Sequence, residues 1–334
     1  TKGPVNEVVT VTSERELVEI FGEPDKTNSA NWFTAASFLA YAGSLQVINT
    51  AAGTARNATD NAAAGGNKNI NLANLGAYDD AAASVFSTAA KHFIAKDQGA
   101  LGNSIGISLV GGGTSSTAPA AWSATLSTEM GAGAEAIGET DITVDASNEF
   151  QIGDCIYFAT DTQNLYTVIG TPDVTTITIK PKDGQIGEGL RVAVDANVNI
   201  TRRWKYYDLF DSAPSGSQFV IDASSNLNPK DEIHLVVFDK DGGITGKKDT
   251  ILETFGYLSI AGDAVNEKGE SNFVGDVLRN KSKYIYYGKD GINNITKVGD
   301  NASTFSTAAA VTGSLPLSFD LEFGVGATGT SGND

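Results

Sequence analysis

The spacing of apolar residues in the first fifty positions predicts a β-α-α-β unit. The run Val8–Val11 is entirely β-branched, which is typical of a strand. Residues 13–16 have the S-x-x-E form of a capping box, and Gly22 supplies a stop signal for the short helix that follows. A second helix carries its apolar residues on one stripe, at Trp32, Ala36 and Leu39. The unit closes with a second strand at Leu45–Ile48.

The pattern then loosens before it becomes helical again. Residues 51–76 are rich in Ala, Asn and Gly and predict a connection without a core. Helical spacing resumes near Asp79 or Asp80 and predicts a helix that stops before Gly99. Its two apolar stripes consist of Val85, Phe86, Ala89, Ala90, Phe93 and Ile94. A half-buried strand follows from the alternation of Ile105, Ile107 and Leu109. Residues 111–119 predict a linker.

Between residues 140 and 200 the sequence changes to short β-branched runs separated by Gly, Asp and Pro. Six such runs occur at a spacing of about ten residues, namely DITVDA, CIYFAT, LYTVIG, TTITIK, LRVAVD and NVNIT. No helical pattern lies between them. The region therefore predicts a small antiparallel all-β barrel or sandwich domain at 116–203, inserted into a mixed α/β (α+β) core domain.

Residues 231–287 return to longer elements. They predict a strand, a tight glycine turn, a second strand, a loop, an amphipathic helix and a tyrosine-rich strand at 283–287. At 251–257 the pattern leaves open a plain strand and a strand that passes into a helix. The apolar face of the helix consists of Phe273, Val277 and Leu278.

Length, charge and cysteine content narrow the function classes. The 334 residues are enough for two or three domains. The 23 Lys and Arg stand against 40 Asp and Glu, a net charge of −17, which disfavours nucleic acid and anionic membranes because both need clustered basic residues. No apolar run reaches the roughly 18 residues of a membrane-spanning helix. Cys155 is the only cysteine, so no intrachain disulfide or zinc CxxC pair can form, and its apolar neighbours favour burial.

Residues of catalytic or metal-binding type do not fall into the patterns of known sites. The run 239–242 resembles the start of a calcium loop, but positions six and twelve hold Ile244 and Thr250, so a hairpin turn is favoured. His92 and His234 stand among apolar residues without metal-motif spacing. Glycine clusters at 131–133 and 324–326 lack the dinucleotide fingerprint. Two carboxylate pairs are close in sequence, Asp208 with Asp211 and Glu139 with Asp141, but such pairs occur by chance in an acidic chain and give no specific support for acid/base catalysis. We therefore predict no catalytic, cofactor-binding or metal site, and no enzyme.

Two groups of aromatic residues admit more than one interpretation. The run 204–207, preceded by Arg202 and Arg203, is able to stack on a ligand or on bases, although packing at a domain junction is favoured. The aromatic residues Trp122, Tyr157 and Tyr166 motivate a carbohydrate-binding or adhesin module as an alternative function of the inserted β domain.

Three stretches carry a resemblance to a known family. The first is KGPVNEVVTVTSERELVEIFGEPD, followed by NWFTAASFLAYAGSLQVIN. The second is GALGNSI at 99–105, with Gln98 where proline is usual. The third comprises VVFDKDGGITG, ILETFGYLS and VLRNKSKYIYY, in matching order and spacing. Together they cover roughly half the chain and resemble the tail sheath protein of contractile-tailed bacteriophages of the T-even type.

The resemblance implies a structural protein of the virion rather than an enzyme. Sheath subunits form stacked hexameric rings around the tail tube, and their contraction drives the tube through the host envelope. The implied partners are further copies in a helical assembly, the tail tube protein, and the baseplate and tail terminator proteins, with no nucleic acid and no direct membrane insertion. The implied location is the virion tail, and the host cytoplasm during assembly. A sheath from a related contractile injection machine is the alternative within this class.

The resemblance also implies a domain division. Residues 1–52 correspond to the first part of the sheath core domain, and residues 53–115 with 204–300 to a middle α/β domain. Residues 116–203 are the inserted β domain, where the family varies most. Residues 301–334 correspond to a return segment toward a C-terminal domain. Since the chain opens at Thr1 and its last residues are rich in Gly, Ser and Thr, we expect a partial chain that lacks both terminal regions.

Overall fold

The structure is a computed structural model that describes most of the chain. The described residues are 2–26, 28–50, 55–59, 70–81, 93–111, 122–150, 152–223, 231–288 and 319–322. The predicted helix positions 82–92, which include His92, lie outside these residues. So do most of the predicted linker at 111–119 and the glycine cluster at 324–326.

The described part is a mixed α and β structure dominated by antiparallel sheets. Its α-helices are α1 (Glu14–Phe21), α2 (Ser29–Leu39), α3 (Leu75–Asp80), α4 (Gln218–Ala223) and α5 (Val274–Lys281). Its strands are β1 (Val8–Val11), β2 (Leu45–Ile48), β3 (Asn57–Thr59), β4 (Phe93–Gln98), β5 (Ile105–Gly111), β6 (Ser123–Glu129), β7 (Asp141–Thr143), β8 (Cys155–Phe158), β9 (Asp161–Asp173), β10 (Thr176–Pro181), β11 (Asn199–Arg203), β12 (Glu232–Asp239), β13 (Thr250–Ser259), β14 (Ile285–Tyr287) and β15 (Phe319–Glu322). They form sheets in the orders β1-β2, β14-β4-β3, β13-β12-β5-β15 and β6-β11-β8-β9-β10-β7.

The N-terminal β-α-α-β prediction is confirmed by β1, α1, α2 and β2. The Ser13 hydroxyl accepts a hydrogen bond from the Glu16 amide at 3.2 Å, as a capping residue should. The Glu16 carboxylate reaches back to the amide of Thr12 at 2.8 Å, one residue beyond the usual partner in a capping box. The indole of Trp32 donates to the carbonyl of Gly22 at 2.9 Å, so α2 is tied to the end of α1.

The four-stranded sheet forms the centre of the core. Strand β12 pairs along its length with β13 on one side and with β5 on the other. Strand β5 is buried at every residue, so the predicted half-buried strand is wrong in this respect: it lies between β12 and β15 and is covered on both faces. Residues 251–257 belong wholly to β13, which settles the choice left open there in favour of a strand.

The three-stranded sheet corrects the prediction of a helix that extends to Gly99. Residues 93–98 are strand β4, which pairs with β14 and β3, and helix α3 covers Leu75–Asp80, with residues 82–92 outside the described residues. Phe93 and Ala95 face the core of the central sheet, whereas Ile94 faces a second cluster with Tyr78 and Tyr286. A strand that is buried on both faces has no polar alternation, so its apolar residues match helical spacing equally well. The predicted connection at 51–76 also contains β3 and the start of α3.

The six-stranded sheet arises from residues 123–203 and has its own hydrophobic core, which includes Phe158, Tyr166, Ile177 and Ile200. Five of the six predicted runs contribute to its strands. The run LRVAVD does not: Leu190 bonds to the backbone of Glu139, and Val194 forms an isolated bridge with Glu135. Strand β6 was not predicted. Within the described residues the sheet is not a closed barrel, because its edge strands meet only near the isolated bridge of Met130 and Val144.

Candidate functional site

The aromatic run at 204–207 packs between the six-stranded and four-stranded sheets. Trp204 is 1% exposed and belongs to a cluster with Val110, Val236 and Phe238 from the central sheet. Its indole donates to the Ser108 hydroxyl at 2.9 Å, so the polar end of the ring is satisfied. The favoured interpretation, packing at a junction, agrees with this arrangement.

His234 lies in the same junction and has both ring nitrogens engaged. Nδ1 accepts from the Tyr257 amide at 3.1 Å, which leaves Nε2 to donate to the carbonyl of Ser212 at 2.8 Å. The ring stacks on Phe210 with 4.3 Å between centroids. Burial lowers the pKa of His234 below its usual value. These contacts describe a neutral, structural imidazole rather than a metal ligand or a general base.

Cationic and aromatic side chains alternate along the outside of this junction. The Arg203 guanidinium lies 5.1 Å from the ring centroid of Tyr157 and 5.2 Å from that of Tyr207. The Lys182 ammonium lies 4.2 Å from the Tyr207 ring and 2.7 Å from the carboxylate of Asp208. The positive charges of Arg203 and Lys182 thus already contact aromatic rings and a carboxylate of the same chain, which disfavours this surface as a site for stacking on nucleic-acid bases.

The loop that resembles the start of a calcium site is organised by Asp239 itself. This residue is fully buried, and its Oδ1 accepts from the amide of Gly242. Its Oδ2 accepts from the amide of Ile244 and from both the amide and the hydroxyl of Thr245, at 3.1, 2.6 and 2.7 Å. Gly242 has a φ of 90°, as a tight turn requires. The predicted turn is confirmed at Gly242, but the connection from β12 to β13 runs over residues 240–249 and is longer than the tight hairpin turn expected.

A seam with two cavities separates the N-terminal unit from the three-stranded sheet. The cavities measure about 630 and 790 Å³, and both are lined by Lys2, Asp97 and Tyr284. Across the seam the amide of Gly3 donates to Asp97 at 3.0 Å, and Lys283 pairs with Glu19 at 2.9 Å. Burial raises the pKa of Asp97. The N-terminal unit and the three-stranded sheet are thus joined across the seam by separate polar contacts, with cavities between them, rather than by continuous packing.

Lys96 borders the larger cavity and caps the end of α5. Its ammonium donates to the carbonyls of Arg279 and Ser282 at 3.0 and 2.6 Å, and it lies 4.5 Å from the Tyr286 ring centroid. Burial lowers the pKa of Lys96 to about 8. Because the helix carbonyls engage the amine, its geometry is that of a C-terminal cap.

The remaining candidates do not converge on a reaction centre. Cys155 is buried, and burial raises the pKa of its thiol, which makes it less reactive. Asp141 accepts from the Thr178 hydroxyl, and Asp208 is used by Lys182. Within the residues that the structure describes, no three His, Cys, Asp or Glu side chains come together as a possible metal site. In the same residues no helix is long and apolar enough to cross a membrane.

The aromatic residues that motivated a carbohydrate-binding module do not share an exposed face. Tyr166 is fully buried and donates to the carboxylate of Asp161 at 3.1 Å. Trp122 packs against Trp204 and His234 in the junction. Tyr157 is half-buried beneath Arg203. A sugar-stacking platform would need at least two of these rings side by side in solvent.

Sequence reasoning did not find the seam or the apolar surface of the N-terminal unit. The seam depends on residues distant in sequence, so no local signal marks it. The surface did have a signal, since residues 27–55 contain no charged side chain. Comparison with family models, curated proteins and solved structures finds no match to the chain.

Proposed function

We propose that this chain is a structural subunit of a contractile bacteriophage tail sheath. In this role it forms stacked hexameric rings around the tail tube and contracts to drive the tube through the host envelope. Its partners are further copies, the tail tube, and the baseplate and terminator proteins. It acts in the virion tail after assembly in the host cytoplasm. The energy comes from re-docking of subunits trapped in a metastable packing, so no nucleotide and no catalytic site are needed.

The observation that carries the proposal is where the family-like segments lie in the fold. VVFDKDGGITG and ILETFGYLS form the central β12–β13 hairpin, and VLRNKSKYIYY forms α5 and β14. The opening segment forms the complete β-α-α-β unit. The resembling half of the chain is thus the half that builds the N-terminal unit and the central core. A chance resemblance would be expected to fall across elements without regard to their role.

We further propose the domain division that the resemblance implies. Residues 116–203 form an inserted β domain, because β5 and β12 pair directly although the six-stranded sheet stands between them in sequence. That sheet has a core of its own, which supports a separate module. Residues 1–52 belong to the sheath core domain. Residues 53–115 and 204–300 form the middle domain.

The test is polymerisation of the full-length protein. Purified full-length protein, with the tail tube protein as a template, should form tubes or stacked rings visible by negative-stain electron microscopy. Omitting the tube protein provides the control for templated growth. Protein that stays monomeric at all salt concentrations, with and without tube protein, would contradict the proposal. A related contractile injection machine would also give tubes, and neighbouring genes for capsid and terminase would separate it from a phage.

A further inference from the structure

The N-terminal unit is a thin two-layer body with a small core. Helices α1 and α2 cover one face of the β1–β2 sheet. The buried apolar residues of this core are few, namely Val11, Leu17 and Trp32. A body of this size buries too little apolar surface to be very stable by itself. Its contacts across the seam are mainly point contacts, such as the ion pair of Glu19 and Lys283.

The helix layer exposes large apolar side chains on its outer side. Phe33 is 56% exposed, Phe38 is 51% exposed, and Tyr41, just after the helix, is 95% exposed. Successive residues of an α-helix are 100° apart around its axis. Phe33 and Phe38 therefore flank the side of α2 that is opposite to Trp32. The other exposed residues on that half are uncharged, namely Ala30, Asn31, Thr34 and Ser37. We call this surface the helix face.

The sheet layer exposes a second apolar surface on the opposite side of the unit. Val8 and Ile48 are directly paired across the strands, and each is 55% exposed. Thr10 and Gln46 form the next exposed pair, also without charge. The alternate residues, such as Val47, pack toward the helices. We call this surface the sheet face.

The charge distribution limits what covers these two faces. No charged residue occurs between Lys26 and Arg56, the stretch that carries the helix face and the β2 half of the sheet face, although the whole chain carries −17. Two copies repel each other over most of their surfaces, and the uncharged faces are where close approach costs least. A basic partner or a cationic surface would gain nothing from an uncharged patch. An anionic membrane would need basic residues around it.

We propose that the helix face of one copy packs on the sheet face of the next copy of this chain. The two faces lie on opposite sides of one unit, so each copy keeps one free face after pairing. Such a heterologous contact extends as an open series or closes as a ring, unlike a two-fold dimer. The proposal assigns a self-association surface within the proposed sheath function, on which it rests.

A complementation experiment tests this geometry. The helix-face variant is Phe38→Gln with Tyr41→Gln, which avoids Phe33 because its ring contacts Trp32 at 5.4 Å between centroids. The sheet-face variant is Val8→Thr with Ile48→Thr, which keeps β-branched residues in both strands. Each variant should associate with itself at least about tenfold more weakly than wild type in sedimentation velocity, as for loss of central apolar contacts. A mixture of the two variants should form a dimer, because each retains the face that the other has lost.

A matched control substitutes equally exposed apolar residues elsewhere. Ile137 and Ile186 are 69% and 82% exposed in the region of the six-stranded sheet, and the Ile137→Thr, Ile186→Thr variant should associate as wild type does. Circular dichroism and thermal melting verify that every variant is folded. A wild type that is monomeric at all concentrations, variants that associate unchanged, or folded variants that fail to complement one another would each overturn the proposal.

The outcomes also separate this surface from the proposed sheath function. Tubes that form equally well from the helix-face and sheet-face variants would overturn the surface and leave the sheath function standing. The wild type could instead form short oligomers but no tubes, even with tube protein, while the two variants complement each other. That result would support the proposed surface and count against the sheath function. Covering of both faces by another part of the same chain would give a monomeric wild type, which overturns the surface.

Discussion

Replacing Asp239 by Asn should selectively destabilise the central hairpin. The carboxylate of Asp239 makes four hydrogen bonds to the loop between β12 and β13, with Gly242, Ile244 and Thr245 as donors. An Asn side chain keeps one acceptor oxygen and places an NH₂ group where the other oxygen stood. In either orientation the NH₂ faces at least one backbone N–H donor, and the negative charge that strengthens the remaining bonds is lost.

The magnitude follows from counting these bonds. In the better orientation of Asn, the oxygen accepts from Ile244 and Thr245, and the half-buried amide of Gly242 loses its acceptor. Loss of one charge-assisted bond with weakening of the others gives a cost of about 2–4 kcal/mol in the free energy of local unfolding. This cost corresponds to a roughly 30- to 700-fold loss of protection for the loop amides. Asp239→Ala should lie at or beyond the upper end, because no acceptor remains.

Hydrogen exchange read by peptide is the suitable assay. The chain contains several separate cores, so one global unfolding transition is not expected to report on this hairpin alone. Peptides from β12 and β13 should lose protection, whereas peptides from β8 and β9 should not. The control is Asp241→Asn in the same loop: Asp241 is exposed and accepts from the amide of Gly243, so its effect should stay near 0.5 kcal/mol or less. Equal effects of the two substitutions would refute the reasoning.

Two further predictions concern buried charge. Because burial lowers the pKa of His234, the unfolded chain binds a proton on this residue at a higher pH than the folded chain does. The contribution of His234 to the free energy of unfolding should therefore be complete above the ordinary pKa near 6.5. It should fall as the pH drops below that value, by at most about 1.4 kcal/mol per pH unit. Urea midpoints from pH 8 to pH 5, followed by tryptophan fluorescence, should show this loss in wild type but not in His234→Gln. Arg202→Met should cost about 3–5 kcal/mol in the six-stranded sheet because it removes one member of the buried ion pair of Arg202 and Asp154, which are 3.3 Å apart. Arg202→Met with Asp154→Asn should recover most of that loss in thermal melts, and a double variant as unstable as the single one would contradict the ion-pair account.

Elements with local signals were predictable from the sequence. The N-terminal unit has a capping box at Ser13, a glycine stop at Gly22 and β-branched strands, and each of these acts within a few residues. The hairpin around Asp239 is similarly marked by an Asp-Gly pair between two apolar runs. The buried states of Cys155 and His234 followed from their apolar neighbours. These features need no knowledge of which element packs on which.

Elements decided by tertiary pairing were not predictable in this way. Strand β4 is buried on both faces, and its apolar run carries no period that separates a strand from a helix. Val194 lies in a β-branched run typical of a strand, but its backbone forms only an isolated bridge with Glu135 and joins no sheet. Strand β6 is largely Ser and Thr and becomes a strand because β11 offers it an edge. In each case the partner, not the segment itself, decides the conformation.

The two connections between the parts of this chain differ in physical kind, and the difference bears on how a subunit would transmit force. The junction around Trp204 is apolar and aromatic, with its indole hydrogen bond satisfied, so separating it would expose apolar surface. The seam at Asp97 is polar, with cavities on either side and an exposed ion pair that salt screens. In the proposed sheath, we expect load on the six-stranded sheet to reach the central sheet through the apolar junction. We expect load on the N-terminal unit, which carries the helix face and the sheet face, to meet the weaker polar seam.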